Sequence, residues 1–274
     1  MTTLFLISCF VIGAALGSFL NVVITRLPDP NQSIVRPRSR CDACGRAVAS
    51  YDLVPIISYL ILRGRCRFCH AKIGFFHPFI EALCAFMLLA LGFRFGPSLQ
   101  FIQHAVFFLL LLPIAWIDLR LWLIPLSLSL LLVGSGLVLG VLQGRYALYD
   151  RLIGAGAGFL FFAAVLVCST YVLRRSGRLG PDQSAMGWGD PVLLAGIGAF
   201  LGYINLPTVV FLASVQGVIA AGILRLAGRR FSGDGDSGLP ENALPFGPFL
   251  ALAALQVAFF LPQSSHWLWE SGTM

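Results

Sequence analysis

Long apolar runs, broken only at brief charged points, dominate the chain. The first extends from Leu4 to Ile24, a polar interval follows from Arg26 to His77, and nearly everything from there to Leu261 is apolar. Cutting at the charged points predicts helices near 4–24, 79–96, 101–118, 121–142, 151–173, 190–205, 207–227 and 243–262. These are about eight segments close to the ~20 residues that cross a bilayer. The expected fold class is therefore an all-α polytopic membrane protein with about eight transmembrane helices and a metal-binding polar loop. Its expected division is a first transmembrane helix over 1–25, the loop over 26–78 and a transmembrane domain over 79–274. No basic segment precedes the first apolar stretch and no small-residue cleavage site follows it, so it reads as a retained span rather than a signal peptide. Phe231 to Glu241, rich in Gly, Ser and Asp, reads as a flexible loop.

Composition agrees with a chain whose solvent is lipid: 58% of residues are hydrophobic and 11% charged, with a mean hydropathy of +0.85. The formal net charge of +7 fits basic cytoplasmic loops better than nucleic-acid binding, and no nucleic-acid partner is expected. With eight spans, alternate loops share a side of the membrane. The loops after spans 1, 3, 5 and 7 carry every Arg and Lys except Arg94, Arg145 and Arg151. This asymmetry places the 26–78 loop in the cytoplasm and both termini on the other side.

That loop holds Cys41-Asp42-Ala43-Cys44 and Cys66-Arg67-Phe68-Cys69. Each Cys-x-x-Cys can wrap two thiolates around one side of a tetrahedral Zn²⁺, and two such knuckles close a four-sulfur structural site. A redox pair or unpaired thiols is the competing reading, and His70 could replace a sulfur. Cys9, Cys84 and Cys168 lie in apolar spans and read as small core residues.

Carboxylates at membrane depth are expensive and mark functional sites. Glu81, Asp118 and Asp190 sit in or against apolar spans, with Asp150 a weaker case at a non-cytoplasmic edge. Asp118 closes the third span and Asp190 opens the sixth after Gly187-Trp188-Gly189, which puts both at cytoplasmic helix ends. Two carboxylates brought together there could share a proton and activate a water, an arrangement that hydrolyses peptides. Gly187 and Gly189, lacking Cβ atoms, would let backbone approach an extended substrate. Asp118 could instead pair with Arg120, and Asp190 could cap its helix ahead of Pro191. Glu81 reads as structural, a partner for a loop arginine; Met186 and Trp188 read as packing. No Gly-x-Ser-x-Gly, His-Glu-x-x-His or phosphate loop is present.

Several strings together resemble the bacterial type IV prepilin peptidases, aspartic peptidases of the Gly-x-Gly-Asp type. They are Gly17-Ser18-Phe19-Leu20-Asn21-Val22-Val23-Ile24 with Arg26-Leu27-Pro28, the paired Cys-x-x-Cys, Pro55-Ile56-Ile57-Ser58-Tyr59-Leu60 leading to Arg63-Gly64-Arg65-Cys66, Asp118, Met186-Gly187-Trp188-Gly189-Asp190, and Pro245-Phe246-Gly247-Pro248-Phe249-Leu250. The resemblance implies an inner-membrane enzyme that cuts the leader from prepilins or type II secretion pseudopilins, on the cytoplasmic side, just after a glycine. It further implies N-methylation of the new terminus from S-adenosylmethionine. Asp118 and Asp190 match the family's catalytic aspartates, and Cys41, Cys44, Cys66 and Cys69 match its zinc ligands. The chain departs from the family pattern at Leu126 and at Ser184-Ala185, where an acidic residue is usual, and at Val192, where a lysine is usual and Pro191 intervenes. Two other readings are a catalytically silent homologue that binds pilins as an assembly factor and a proton- or ion-coupled transporter.

Overall fold

The structure, a computed structural model, describes residues 2–177, 180, 184–227 and 244–261. The loop expected at Phe231–Glu241 lies outside them. Helices account for most of the described chain, and the extended pairings there are two isolated bridges, Arg40 with Ala47 and Arg65 with Lys72. Among the described residues, eight main helices fall where the apolar runs predict them: α1 (Thr2–Arg26), α3 (Phe76–Phe95), α4 (Leu99–Leu121), α5 (Leu126–Gln143), α6 (Arg145–Arg175), α7 (Gly189–Leu201), α8 (Leu206–Leu226) and α9 (Gly247–Phe260). A short helix α2 (Ile57–Ile61) lies in the polar interval. Six of the eight are long and apolar enough to cross a membrane; α7 and α9, at 13 and 14 residues, are shorter. The chain forms two compact units, Met1–Ala105 and Val106–Met274.

In the first unit α1 and α3 pack antiparallel through glycines. A Cβ on Gly13 would lie 2.8 Å from the Ala85 Cα, and one on Gly17 would lie 2.7 Å from the Glu81 Cα. Two backbones approach this closely only where side chains are absent, which is how membrane helices gain van der Waals contact that lipid cannot supply. One further step of four residues brings Asn21 to His77, whose carbonyl accepts from the Asn21 Nδ2 at 3.1 Å. At the other end of the pair, Gly92 admits the Cys9 sulfur. Phe5 meets Phe101, and Phe95 stacks on His104 with centroids 4.3 Å apart.

In the second unit α7 is the hub, with ten of its thirteen residues buried. Gly154 and Gly198 bring the backbones of α6 and α7 into direct contact, Gly158 makes room for the Leu194 carbonyl, and Gly136 on α5 makes room for that of Ala199. Phe107 on α4 stacks on Phe200 at 4.7 Å. On α8 and α9 the Gln216 Nε2 donates to the Gln256 Oε1 at 2.6 Å. The fifth helix of the expected set starts earlier than its apolar run, at Arg145 rather than 151, because Arg151 is an interior residue. It is 4% exposed, and its guanidinium donates to the Gly136 carbonyl at 2.7 Å and to the Gln143 Oε1 at 2.6 Å. Cys9 and Cys84 are core residues as expected, whereas Cys168 is exposed. Its position on α6 belongs to the outward apolar surface of a helix whose most apolar window is only 22% buried.

Candidate functional site

The polar interval of the first unit folds into two copies of one knuckle, offset by 25 residues. The Cys41 N–H donates to the Arg46 carbonyl and the Gly45 N–H to the Cys41 carbonyl; the Cys66 N–H donates to the Ala71 carbonyl and the His70 N–H to the Cys66 carbonyl. The bridges Arg40–Ala47 and Arg65–Lys72 keep the same offset. Each knuckle turns on a left-handed residue after its second cysteine, Gly45 (φ +70°) and His70 (φ +55°). His70 therefore serves the turn. The sulfurs of Cys41, Cys44, Cys66 and Cys69 all lie within 4.8 Å of one another, and this cluster could hold a metal ion. Amide donation from Cys69 and then Phe68 holds the Cys66 thiol down at about 6. At Cys69 the Ala71 N–H favours the thiolate, but burial and the neighbouring cysteines outweigh it and push the thiol up to about 11. The Cys66 thiolate is thus stabilised while Cys69 keeps its proton, which a divalent cation bound by the cluster would displace. Arg67 and Asp52 brace the second knuckle through a bidentate pair at 2.6–3.2 Å, and that guanidinium holds the Asp52 carboxyl below the usual carboxylate range.

Glu81 takes a partner other than a loop arginine. Its Oε2 accepts the Ile56 N–H at 2.8 Å, and Ile56 has φ +62°, a left-handed conformation that a β-branched residue adopts only when its surroundings hold it there.

The aspartates belong to the second unit. Asp118 occupies the last turn of α4, which ends as the Trp122 N–H returns to the Asp118 carbonyl at 2.9 Å with Trp122 left-handed at φ +56°. The chain then reverses through Leu123-Ile124-Pro125 into α5. The Asp118 side chain is 5% exposed, and its Oδ2 accepts the Gly247 N–H at 3.0 Å. Gly247 opens α9, and a Cβ there would run into that same Oδ2. This backbone donor, 129 residues away in sequence, is the functional group that sequence reasoning missed. Its only trace was the Pro245-Phe246-Gly247-Pro248 string.

Asp190 stands in the first turn of α7, after a cap formed by Trp188 without a side-chain hydrogen bond. Its partial exposure contrasts with the burial of Asp118, and the two carboxylates lie within range for their charges to interact. Ile124 joins the pieces. A Cβ on Gly189 would stand 2.6 Å from the Ile124 Cβ, and one on Gly247 would stand 3.4 Å from the Ile124 Cδ1. The missing side chain of Gly189 therefore makes room for Ile124. At Gly187 a Cβ would approach nothing nearer than 3.9 Å, so that backbone is open. The segment leading in is tied down where Ala185 donates to the Thr170 Oγ1 at 3.1 Å and the Ser184 Oγ to the Met186 carbonyl at 3.0 Å. Asp150 serves the fold, accepting the Tyr203 N–H beside Gly202. Buried, backbone-anchored Asp118 beside Asp190 can exchange protons with a reacting group from two positions.

Residues 11–95 match the Bacterial Peptidase A24 N-terminal domain and residues 105–222 match the Type IV leader peptidase family. The chain is similar to a prepilin leader peptidase/N-methyltransferase of Myxococcus xanthus (strain DK1622), 40% identical over 224 residues, which cover 82% of this chain and 64% of that protein. It thus spans just under two thirds of that relative. Proteins of the same name from Aeromonas hydrophila and Burkholderia pseudomallei (strain 1026b) are 32% and 34% identical. They align with 89% and 91% of this chain and 87% and 84% of their own lengths. No solved structure matches the chain. With six apolar helices and these relatives, the chain is a multi-pass membrane protein.

Proposed function

We propose, since the chain belongs to the type IV leader peptidase family, that it is an aspartic endopeptidase of the bacterial inner membrane. It removes the leader from prepilins or secretion pseudopilins after a glycine and then N-methylates the new terminus. The observation that carries the peptidase reading is the buried Asp118, its Oδ2 fixed by the Gly247 N–H at 3.0 Å, with Asp190 in electrostatic range.

With Oδ2 committed to Gly247, the other oxygen of Asp118 is the one left to face the reaction. The pair holds one proton between its two carboxylates. The ionised member takes a proton from water as the water oxygen bonds to the scissile carbonyl carbon, and the protonated member donates to the carbonyl oxygen. When the carbon–nitrogen bond breaks, the leaving nitrogen takes the proton gained from water. The open backbone at Gly187 supports close approach of an extended substrate beside the pair. Cys41, Cys44, Cys66 and Cys69 would hold a structural Zn²⁺ that fixes the two knuckles on the cytoplasmic side. The relatives' N-methyltransferase name supports the second activity. S-adenosylmethionine supplies it with a methyl group activated on a sulfonium, whose passage to a neutral amine leaves a neutral thioether and an ammonium that returns its proton to solvent.

Incubating the purified chain with a prepilin peptide and S-adenosylmethionine tests both activities by mass spectrometry. The expected products are leader cut after glycine and a mature peptide heavier by one methyl group. Intact prepilin refutes the peptidase reading; cut but unmethylated product refutes the transferase reading.

A further inference from the structure

The first unit contains a cavity of about 650 Å³, lined entirely by residues of 18–81, with Cys41 and Cys66 of the metal cluster among them and with most of its lining given no role by the cluster or the aspartate pair. Asn21, His77 and Glu81 line it, from the ends of α1 and α3, and Phe68 and Tyr59 add aromatic surface. Asn21 is 5% exposed, and its Oδ1 is buried with no partner among the described residues, while its Nδ2 is committed to the His77 carbonyl. Buried acceptors left unsatisfied are costly and mark a place where something else donates. Glu81, also buried, spends one carboxylate oxygen on Ile56 and has the other to offer. Arg38, Arg40 and Lys72 line the same cavity.

We propose that this cavity binds S-adenosylmethionine. The proposal rests on the methyl-transfer reading above and says which residues of this chain hold the donor. Its volume lies in the range of roughly 300–1,000 Å³ typical of pockets for ligands of this size. The donor is amphoteric, and so is the lining. Its sulfonium and ammonium need an acceptor and a negative charge, which Asn21 Oδ1 and Glu81 provide. Its carboxylate needs cations, which Arg38, Arg40 and Lys72 provide. Its purine needs a flat apolar surface, which Phe68 provides opposite the Arg46 guanidinium that covers one face at 5.1 Å. A simple anion, whether free phosphate or a lipid headgroup, would satisfy the cations but leave Asn21 Oδ1 and Glu81 facing like charge.

Equilibrium binding tests the assignment on the full-length, zinc-loaded chain in detergent, using S-adenosylmethionine and the uncharged thioether S-adenosylhomocysteine as probes. Zinc content and monodispersity report whether each variant is folded. Asn21→Leu, near in volume but without the acceptor, should weaken binding of the donor about tenfold. Phe68→Ala, at an exposed position, should weaken both probes by about fivefold or more. Glu81→Gln keeps an acceptor for Ile56 but removes the charge, so it should weaken the sulfonium probe more than the thioether. A merely structural role would not move that ratio. Wild-type chain that binds the donor while Asn21→Leu, Phe68→Ala and Glu81→Gln bind both probes unchanged overturns the assignment and leaves methyl transfer standing. Wild-type chain that neither binds the donor nor methylates cut peptide overturns the transferase reading itself.

Discussion

Replacing Gly247 with alanine tests how Asp118 is held. A Cβ at this position would collide with the Asp118 Oδ2 and lie 3.1 Å from its Cγ and 3.4 Å from the Ile124 Cδ1. Backbone cannot yield easily at the start of α9, where Pro248 follows, so the carboxylate must move and the 3.0 Å hydrogen bond is lost. A hydrogen bond to a charged group contributes about 1.5–3 kcal/mol, and each ~1.4 kcal/mol in the barrier is a factor of ten in rate. The bond alone therefore accounts for roughly 10- to 150-fold, and displacing a reacting group by about 1 Å can cost on the order of 100-fold. The expected outcome is a kcat for leader cleavage about 100-fold below wild type with little change in KM, because contacts along the rest of the substrate are untouched. Steady-state cleavage of a prepilin substrate in detergent measures it. Gly134→Ala on α5 is the control, since a Cβ there meets nothing within 4 Å and turnover should be unaltered. Gly247→Ala working within twofold of wild type, at equal yield and melting temperature, would refute the positioning argument.

Three further outcomes follow from the packing and the cysteine cluster. Purified chain should carry about one Zn²⁺, measured by elemental analysis, and Cys41→Ser or Cys66→Ser should lower that content. Metal removal by a strong chelator should expose the 26–77 segment to limited proteolysis, because so short a polar insertion has little core of its own. Gly198→Val should lower the melting temperature sharply or abolish folding, since the new side chain would meet the Gly154 carbonyl between α6 and α7; overpacking of this kind costs about 1–3 kcal/mol or more.

The apolar runs placed all eight main helices because most are bounded by charges that cannot enter lipid, and because Gly202, Asn205 and Pro207 break the run between α7 and α8. Where a charge is buried, that logic misplaces the boundary. Arg151 reads as the edge of a span, yet it lies inside the second unit because the Gly136 carbonyl and Gln143 absorb its donors and Gly140 leaves room for its stem. The α7 segment reads as an ordinary span, but its small residues mark a short helix enclosed on several sides. The Cys-x-x-Cys spacing made the metal cluster legible, whereas the 25-residue correspondence between knuckles is carried by backbone hydrogen bonds over little shared sequence. Glu81 and Asp118 were legible as acids in apolar surroundings. Their partners, the N–H groups of Ile56 and Gly247, were not, since every residue but proline has such a group and only the fold selects one.

The account's central claim is that Asp118 and Asp190 act together on the scissile bond, and cleavage by the Asp118→Asn and Asp190→Asn variants tests it most directly. Asparagine keeps the size and can still accept the Gly247 N–H, but it cannot hold or release the shared proton. Both variants should enter the membrane, retain zinc and lose leader cleavage by at least about a thousandfold, a loss of the size seen when a member of a catalytic unit is removed. Substantial cleavage by either folded variant would contradict the two-aspartate account.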